Sequence, residues 1–130
     1  MQDYFKFNIP LRTVSESNNT DHWTKKRQRK QQHQIFINSI LKSQFDSKNL
    51  TFPCCVKLIR IAPRVLDYDN LVTSFKGIRD CVADNLLPGL KAGRADGDLR
   101  INWIYDQEKG KPKEYSYRIE IFPCNKFFPS

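Results

Sequence analysis

The stretch from Phe52 to Ala62 constrains the fold most. It is β-branched and cysteine-rich, with Val56, Leu58 and Ile61 suited to a strand, and Pro63 and Arg64 end it. The residues that follow have a different period. Counted at about 100° per residue from Asp69, the side chains of Leu71, Phe75, Ile78, Val82 and Leu86 fall within about 80° of one another, the core stripe of an amphipathic helix. Pro88 and Gly89 break that helix. A strand followed by such a helix is one step of an α+β order, with a sheet and helices against it.

The rest of the chain extends this unit in both directions. Phe5, Phe7 and Ile9 alternate with polar residues from Tyr4 until Pro10, predicting a first strand. Residues 13–21 are rich in Ser, Thr and Asn and read as a loop. Asp21 can then cap a long basic helix running to about Phe45, with Ile35, Ile37, Ile40 and Leu41 as its packing residues and its basic first half projecting beyond the core. After the second helix, Leu99, Ile101, Trp103 and Tyr105 alternate, as do Tyr115, Tyr117, Ile119 and Ile121, around a charged turn from Glu108 to Lys113. Those two strands predict a hairpin. The expected fold is α+β: one domain over residues 1–130, with one mixed sheet in the order β-α-β-α-β-β and helices packed against it.

Charge narrows the partners. Residues 1–66 hold twelve Lys/Arg and four Asp/Glu, while residues 67–130 hold ten of each, so the net +8 is all N-terminal. Lys25, Lys26, Arg27, Arg29 and Lys30 crowd together, a density that favours a polyanion such as nucleic acid. The other reading is a solvated helix face. No apolar stretch approaches the roughly 18 residues of a membrane span, and no apolar signal segment opens the chain, so a cytoplasmic protein is expected. The four cysteines show no zinc spacing and are expected to be reduced, with Cys81 near the core edge. His22 and His33 read as surface residues.

The chemistry is carried by acids. Asp67, Tyr68, Asp69, Asn70 and Leu71 place two carboxylates at the strand-to-helix junction. On extended backbone the i, i+2 pair shares a side, and Asp69 can also cap the helix. Hard oxygen donors of this kind suit magnesium or manganese, and the alternative is a capped helix after a solvated turn. Opposite the core stripe, Asp69, Thr73, Lys76, Asp80 and Asp84 form a polar face. There Lys76 and Asp80 are either an i, i+4 ion pair or part of an active face, with Lys76 meeting a phosphate. A second cluster, Asp96 and Asp98, lies in a loop with Gly93, Arg94 and Gly97.

In this order the motifs resemble the RusA family of Holliday junction resolvases, over about residues 4–121: a short strand, a basic helical region, a strand ending at Arg64, the Asp67-Tyr68-Asp69-Asn70-Leu71 string, then a second Asp cluster before a strand. The resemblance implies a magnesium-dependent homodimeric endodeoxyribonuclease that nicks four-way DNA junctions in pairs. It also implies Asp67 and Asp69 as the first two metal ligands and Asp96 or Asp98 as the third. Arg64 and Lys76 would steady the phosphate, Asp80 would add an acidic group, and Lys25, Lys26, Arg27, Arg29, Lys30 and Arg94 would hold DNA. Two positions depart from the family pattern: Thr73 stands where it has a lysine, and Gly97 separates acids that are usually adjacent. Asp84 to Arg94 is longer than in the family. A second class of function is a non-catalytic branched-DNA-binding protein of the same fold, and a third is a module that binds an acidic protein.

Overall fold

A computed structural model describes residues 4–14, 22–44, 50–90 and 95–124. In chain order the elements are β1 (Phe5–Ile9), α1 (Trp23–Gln44), β2 (Cys54–Ala62), α2 (Tyr68–Ser74), α3 (Lys76–Leu86), a single 3-10 turn (Ala95–Gly97), β3 (Ile101–Lys109) and β4 (Ser116–Pro123). The four strands form one sheet in the order β1-β4-β2-β3, with β2 parallel to β3 and antiparallel to β4, and β1 antiparallel to β4. The fold is α+β with a mixed sheet, as expected.

The expected hairpin is absent. β2 lies between β3 and β4, so the connection from Gly110 to Tyr115 crosses the end of β2. The reason lies in β2 itself, where seven of the nine residues are buried. A strand buried along most of its length takes the middle of the sheet, and β3 and β4 flank it. The crossing is tight at Gly110: a Cβ there would come 2.7 Å from Glu114 Oε1 and 3.2 Å from Ile61 Cγ2.

The strand residues in the core alternate: Phe7 and Ile9 on β1, Cys54, Val56 and Leu58 on β2, Tyr117, Ile119 and Ile121 on β4. They meet the helices on one face. All five stripe residues, Leu71, Phe75, Ile78, Val82 and Leu86, are buried there, and Cys81 is buried beside them. The helix is nevertheless two. It breaks at Phe75, whose N–H is shared by the Val72 and Thr73 carbonyls, after Thr73 Oγ1 and Ser74 Oγ donate back to the Asp69 (2.8 Å) and Leu71 (2.7 Å) carbonyls. Hydroxyls that compete for helix carbonyls bend a helix in this way. On α1, Ile37 and Leu41 are buried and Ile40 is half-buried. Ile35, expected to pack, is 68% exposed because it lies on the far side of the helix from Ile37. Leu99, expected to open a strand, is exposed in the turn before Ile101.

The opposite face of the sheet is charged. Lys57 pairs with Asp106 at 3.4 Å, Arg118 joins Glu108 and Glu120, and Tyr4 donates to Glu120. Among the described residues, no helix is long and apolar enough to cross a membrane. The Asp21 cap lies outside the described residues.

Candidate functional site

The acidic string is built on the end of β2. Gln107 of β3 holds the backbone just before it: its Nε2 donates to the Leu66 carbonyl (2.7 Å), and its Oε1 accepts from the Leu66 N–H (2.9 Å). Asp67 then leaves the strand in extended conformation and caps α2, its Oδ1 accepting from the Asn70 N–H at 3.1 Å. The cap is therefore Asp67 and not Asp69. Asp69 sits inside the first turn, where a negative charge suits the helix N-terminus. Since the helix begins at Tyr68, the pair does not lie on extended backbone. Both acids are exposed, and neither forms an ion pair with a described residue.

On α3, Lys76 is exposed and makes no ion pair with Asp80, so that helix-face pairing is not formed. Asp80 turns instead to the second cluster, and its carboxyl hydrogen-bonds that of Asp96. Burial first, then the charge of Asp96, push the Asp80 carboxyl above its ordinary range, while Lys30 pulls the other way. Arg79 ties the cluster to β3. Its Nη1 donates to the Tyr105 hydroxyl (2.9 Å), its Nη2 donates to the Asp96 carbonyl (2.8 Å), its Nε stands 3.6 Å from Asp96 Oδ2, and its guanidinium lies 4.8 Å from the Trp103 ring centroid. Trp103 Nε1 also donates to the Asp96 carbonyl (3.1 Å). Asp98 is engaged elsewhere. It accepts from Arg100 Nε (3.0 Å) and Nη2 (3.1 Å), and that guanidinium holds its carboxyl below the usual range.

One face of β3 therefore sets the spacing of the acids. Gln107 fixes the approach to Asp67, Tyr105 packs edge-on against Tyr68 (6.3 Å) and bonds Arg79, and Trp103 fixes Asp96. Gln107 and Trp103 are separated by roughly 13 Å of strand. Sequence reasoning did not single out Arg79, Tyr105 or Gln107 as site residues. The alternation of Trp103, Tyr105 and Gln107 was the available signal, since it puts all three on one face of the strand.

The basic cluster borders a cavity from its exposed side, with Arg27 and Lys30 exposed and Lys26 half-buried. Lys26, Arg27 and Lys30 line a cavity of about 410 Å³ together with Val14, His33, Gln34 and the α2–α3 junction residues Ser74, Gly77 and Ile78. Residues 22–30 are all exposed or half-buried, in keeping with a basic first half of α1 that projects beyond the core. His33 is not a plain surface residue: it is half-buried, with Nδ1 2.8 Å from the Tyr117 hydroxyl and the two rings 5.5 Å apart. Lys25 is exposed and Arg29 half-buried, and neither lines the cavity. Arg64 is exposed. Arg94 lies outside the described residues.

Among the described residues, no three His, Cys, Asp or Glu side chains gather as a metal group. Asp96 and Asp98, the two alternatives expected for the third ligand, are engaged by Arg79 and Arg100. Asp67 and Asp69 alone fit a different arrangement. Magnesium commonly takes one or two carboxylates and completes its shell with water and substrate phosphate. No protein-family model matches the chain, and no curated protein matches it.

Proposed function

We propose that the chain is a metal-dependent, RusA-type endodeoxyribonuclease that acts in the cytoplasm as a homodimer, binding branched DNA, four-way junctions above all, and hydrolysing phosphodiester bonds as paired nicks. One observation carries this reading: the exposed Asp67 and Asp69 stand at the start of α2, and the cation-lined cavity opens at the end of the same helix. Ser74 at the cavity is five residues beyond Asp69, about 7.5 Å of helix rise. A phosphodiester backbone held by Lys26, Arg27 and Lys30 thus passes close to the acid pair.

Asp67 and Asp69 would hold magnesium, or manganese in its place. The bound ion would lower the pKa of a water and offset charge on the scissile phosphate. The chain's own residues do the positioning. Gln107 locks Leu66 so that Asp67 cannot swing away, the α2 cap fixes the Asp67 carboxylate, and Lys76, exposed and without an ion pair among the described residues, meets a phosphate oxygen. Lys25, Lys26, Arg27, Arg29, Lys30 and Arg64 bind backbone, which gives affinity without base reading.

The commitment of Asp96 and Asp98 to arginines favours a second reading, a non-catalytic protein that binds branched DNA. A labelled synthetic four-way junction separates the two. With magnesium or manganese, wild type is expected to give paired nicks, Asp69→Asn is expected to bind without cutting, and linear duplex is expected to stay intact. Tight binding with no nick by wild type under either metal would establish the second reading.

A further inference from the structure

Arg60 is a charged residue in an unusual place. It lies on the helix-covered face of β2, in line with Val56 and Leu58, and is only 8% exposed. Its two cross-strand neighbours are neutral: Tyr117 on β4 and Gln107 on β3. Its Nη1 donates to the Arg64 carbonyl, and among the described residues no carboxylate pairs with it. A second guanidinium, that of Arg12, lies 4.2 Å from the Tyr115 ring centroid, where the chain has just left β1. Burial, and then the repulsion of Arg12, lower the affinity of Arg60 for its proton. Arg12 and Arg64 likewise have no ion pair with a described residue. The Arg12 and Arg60 side chains and the Arg64 backbone thus lie where β1 and β2 end and β4 begins, with no ion pair to a described acid.

Buried charge is tolerated when it is paired, and like charges side by side call for an opposite one. The remaining N–H groups of Arg60 are not sealed in: among buried side-chain atoms without a partner, only Arg79 Nε occurs in the described residues. We infer that Arg12, Arg60 and Arg64, with Tyr115 as the platform under Arg12, form a seat for a phosphate group. The planar guanidinium fork suits the tetrahedral oxygens of a phosphate, and both an exposed and a buried arginine can reach it. The seat lies on the chain just ahead of Asp67, and Arg64 is three residues from that acid, roughly 10 Å if extended. The inference stands whether or not Asp67 and Asp69 support cleavage.

The phosphate can come from a DNA backbone or from solution, and the test distinguishes them. In inorganic phosphate, wild type is expected to melt about 2–4 °C higher than in sodium chloride of equal ionic strength. Arg12→Gln, at an exposed position, is expected to lose that response. Arg60→Met is expected to lose it too and to melt higher than wild type in chloride, because the lone buried charge is gone. If Arg60→Met does not fold, Arg12→Gln decides alone. Wild type indifferent to phosphate, or Arg12→Gln responding as wild type does, would overturn the seat. If the seat takes DNA, Arg12→Gln also weakens binding to a four-way junction about 3–10-fold and lowers the salt slope by about one. Loss of the phosphate response with junction binding intact assigns the seat to free phosphate. Asp69→Asn should keep the phosphate response, so an uncut junction beside an intact response counts against the nuclease reading only.

Discussion

Asp80 and Asp96 share a hydrogen bond between two carboxyl groups, and that sharing has a pH signature. The folded chain holds the Asp80 proton to higher pH than the unfolded chain does, because the folded value is raised by burial and by Asp96. Ionising Asp80 therefore costs stability above its folded value, and the cost disappears as pH falls towards the unfolded value of about 3.9. Asp80→Asn keeps the shape and can donate an amide N–H to Asp96. It is expected to melt higher than wild type at neutral pH, with the gain shrinking as the pH drops towards about 4. Melting curves across that range check this, and equal melting at neutral pH would remove the shared-proton account. Both acids were legible in the sequence as separate candidates, one from a helix face and one from a glycine-bearing loop. Their pairing was not, since it depends on Arg79, Tyr105 and Trp103 drawing the loop onto α3, and contacts between distant segments leave no local period.

At the scale of elements, α2 gives the Asp67 carboxylate two roles that mutation can separate. Asparagine caps a helix as well as aspartate does, whereas alanine does not. Asp67→Asn is expected to melt with wild type, and Asp67→Ala to lose about 1 kcal/mol, while both lose cleavage in the proposed function. Thermal denaturation paired with junction cleavage reads the two roles independently. On α3, Gly77 has open space where a Cβ would go, so Gly77→Ala is expected to stabilise by about 0.5 kcal/mol, seen as a higher denaturation midpoint. The helices were well marked in the sequence because one buried stripe has one period, and Leu71 to Leu86 followed it through the break at Phe75. The strands were found, but their pairing was misread. Two alternating strands around a charged turn look alike whether they are neighbours or flank a third, and only the double-sided burial of Cys54 to Ala62 favoured the second case.

The whole molecule carries its charge unequally, with all of the net +8 in residues 1–66. If the five cations between Lys25 and Lys30 each neutralise a phosphate, the logarithm of junction affinity should fall against the logarithm of salt with a slope of about −4.5. Replacing Lys25 and Lys26 by Gln should bring it to about −2.7, measured by titration across roughly 50–200 mM salt. An unchanged slope would place the DNA on another face. The charge imbalance was plain in the sequence, but the direction of the cluster was not, since only tertiary packing turns Lys26, Arg27 and Lys30 onto a cavity. The strand order has a consequence for the birth of the chain. Among the described strands, β1 is made before the other three and pairs only with β4, which is made after them. β2 and β3 can pair around α2 and α3 while translation continues, yet β1 has no sheet partner until β4 slots between it and β2. The described sheet is thus closed by its latest contact, and a ribosome stalled before β4 would display β1 without that partner strand, open to wrong ones.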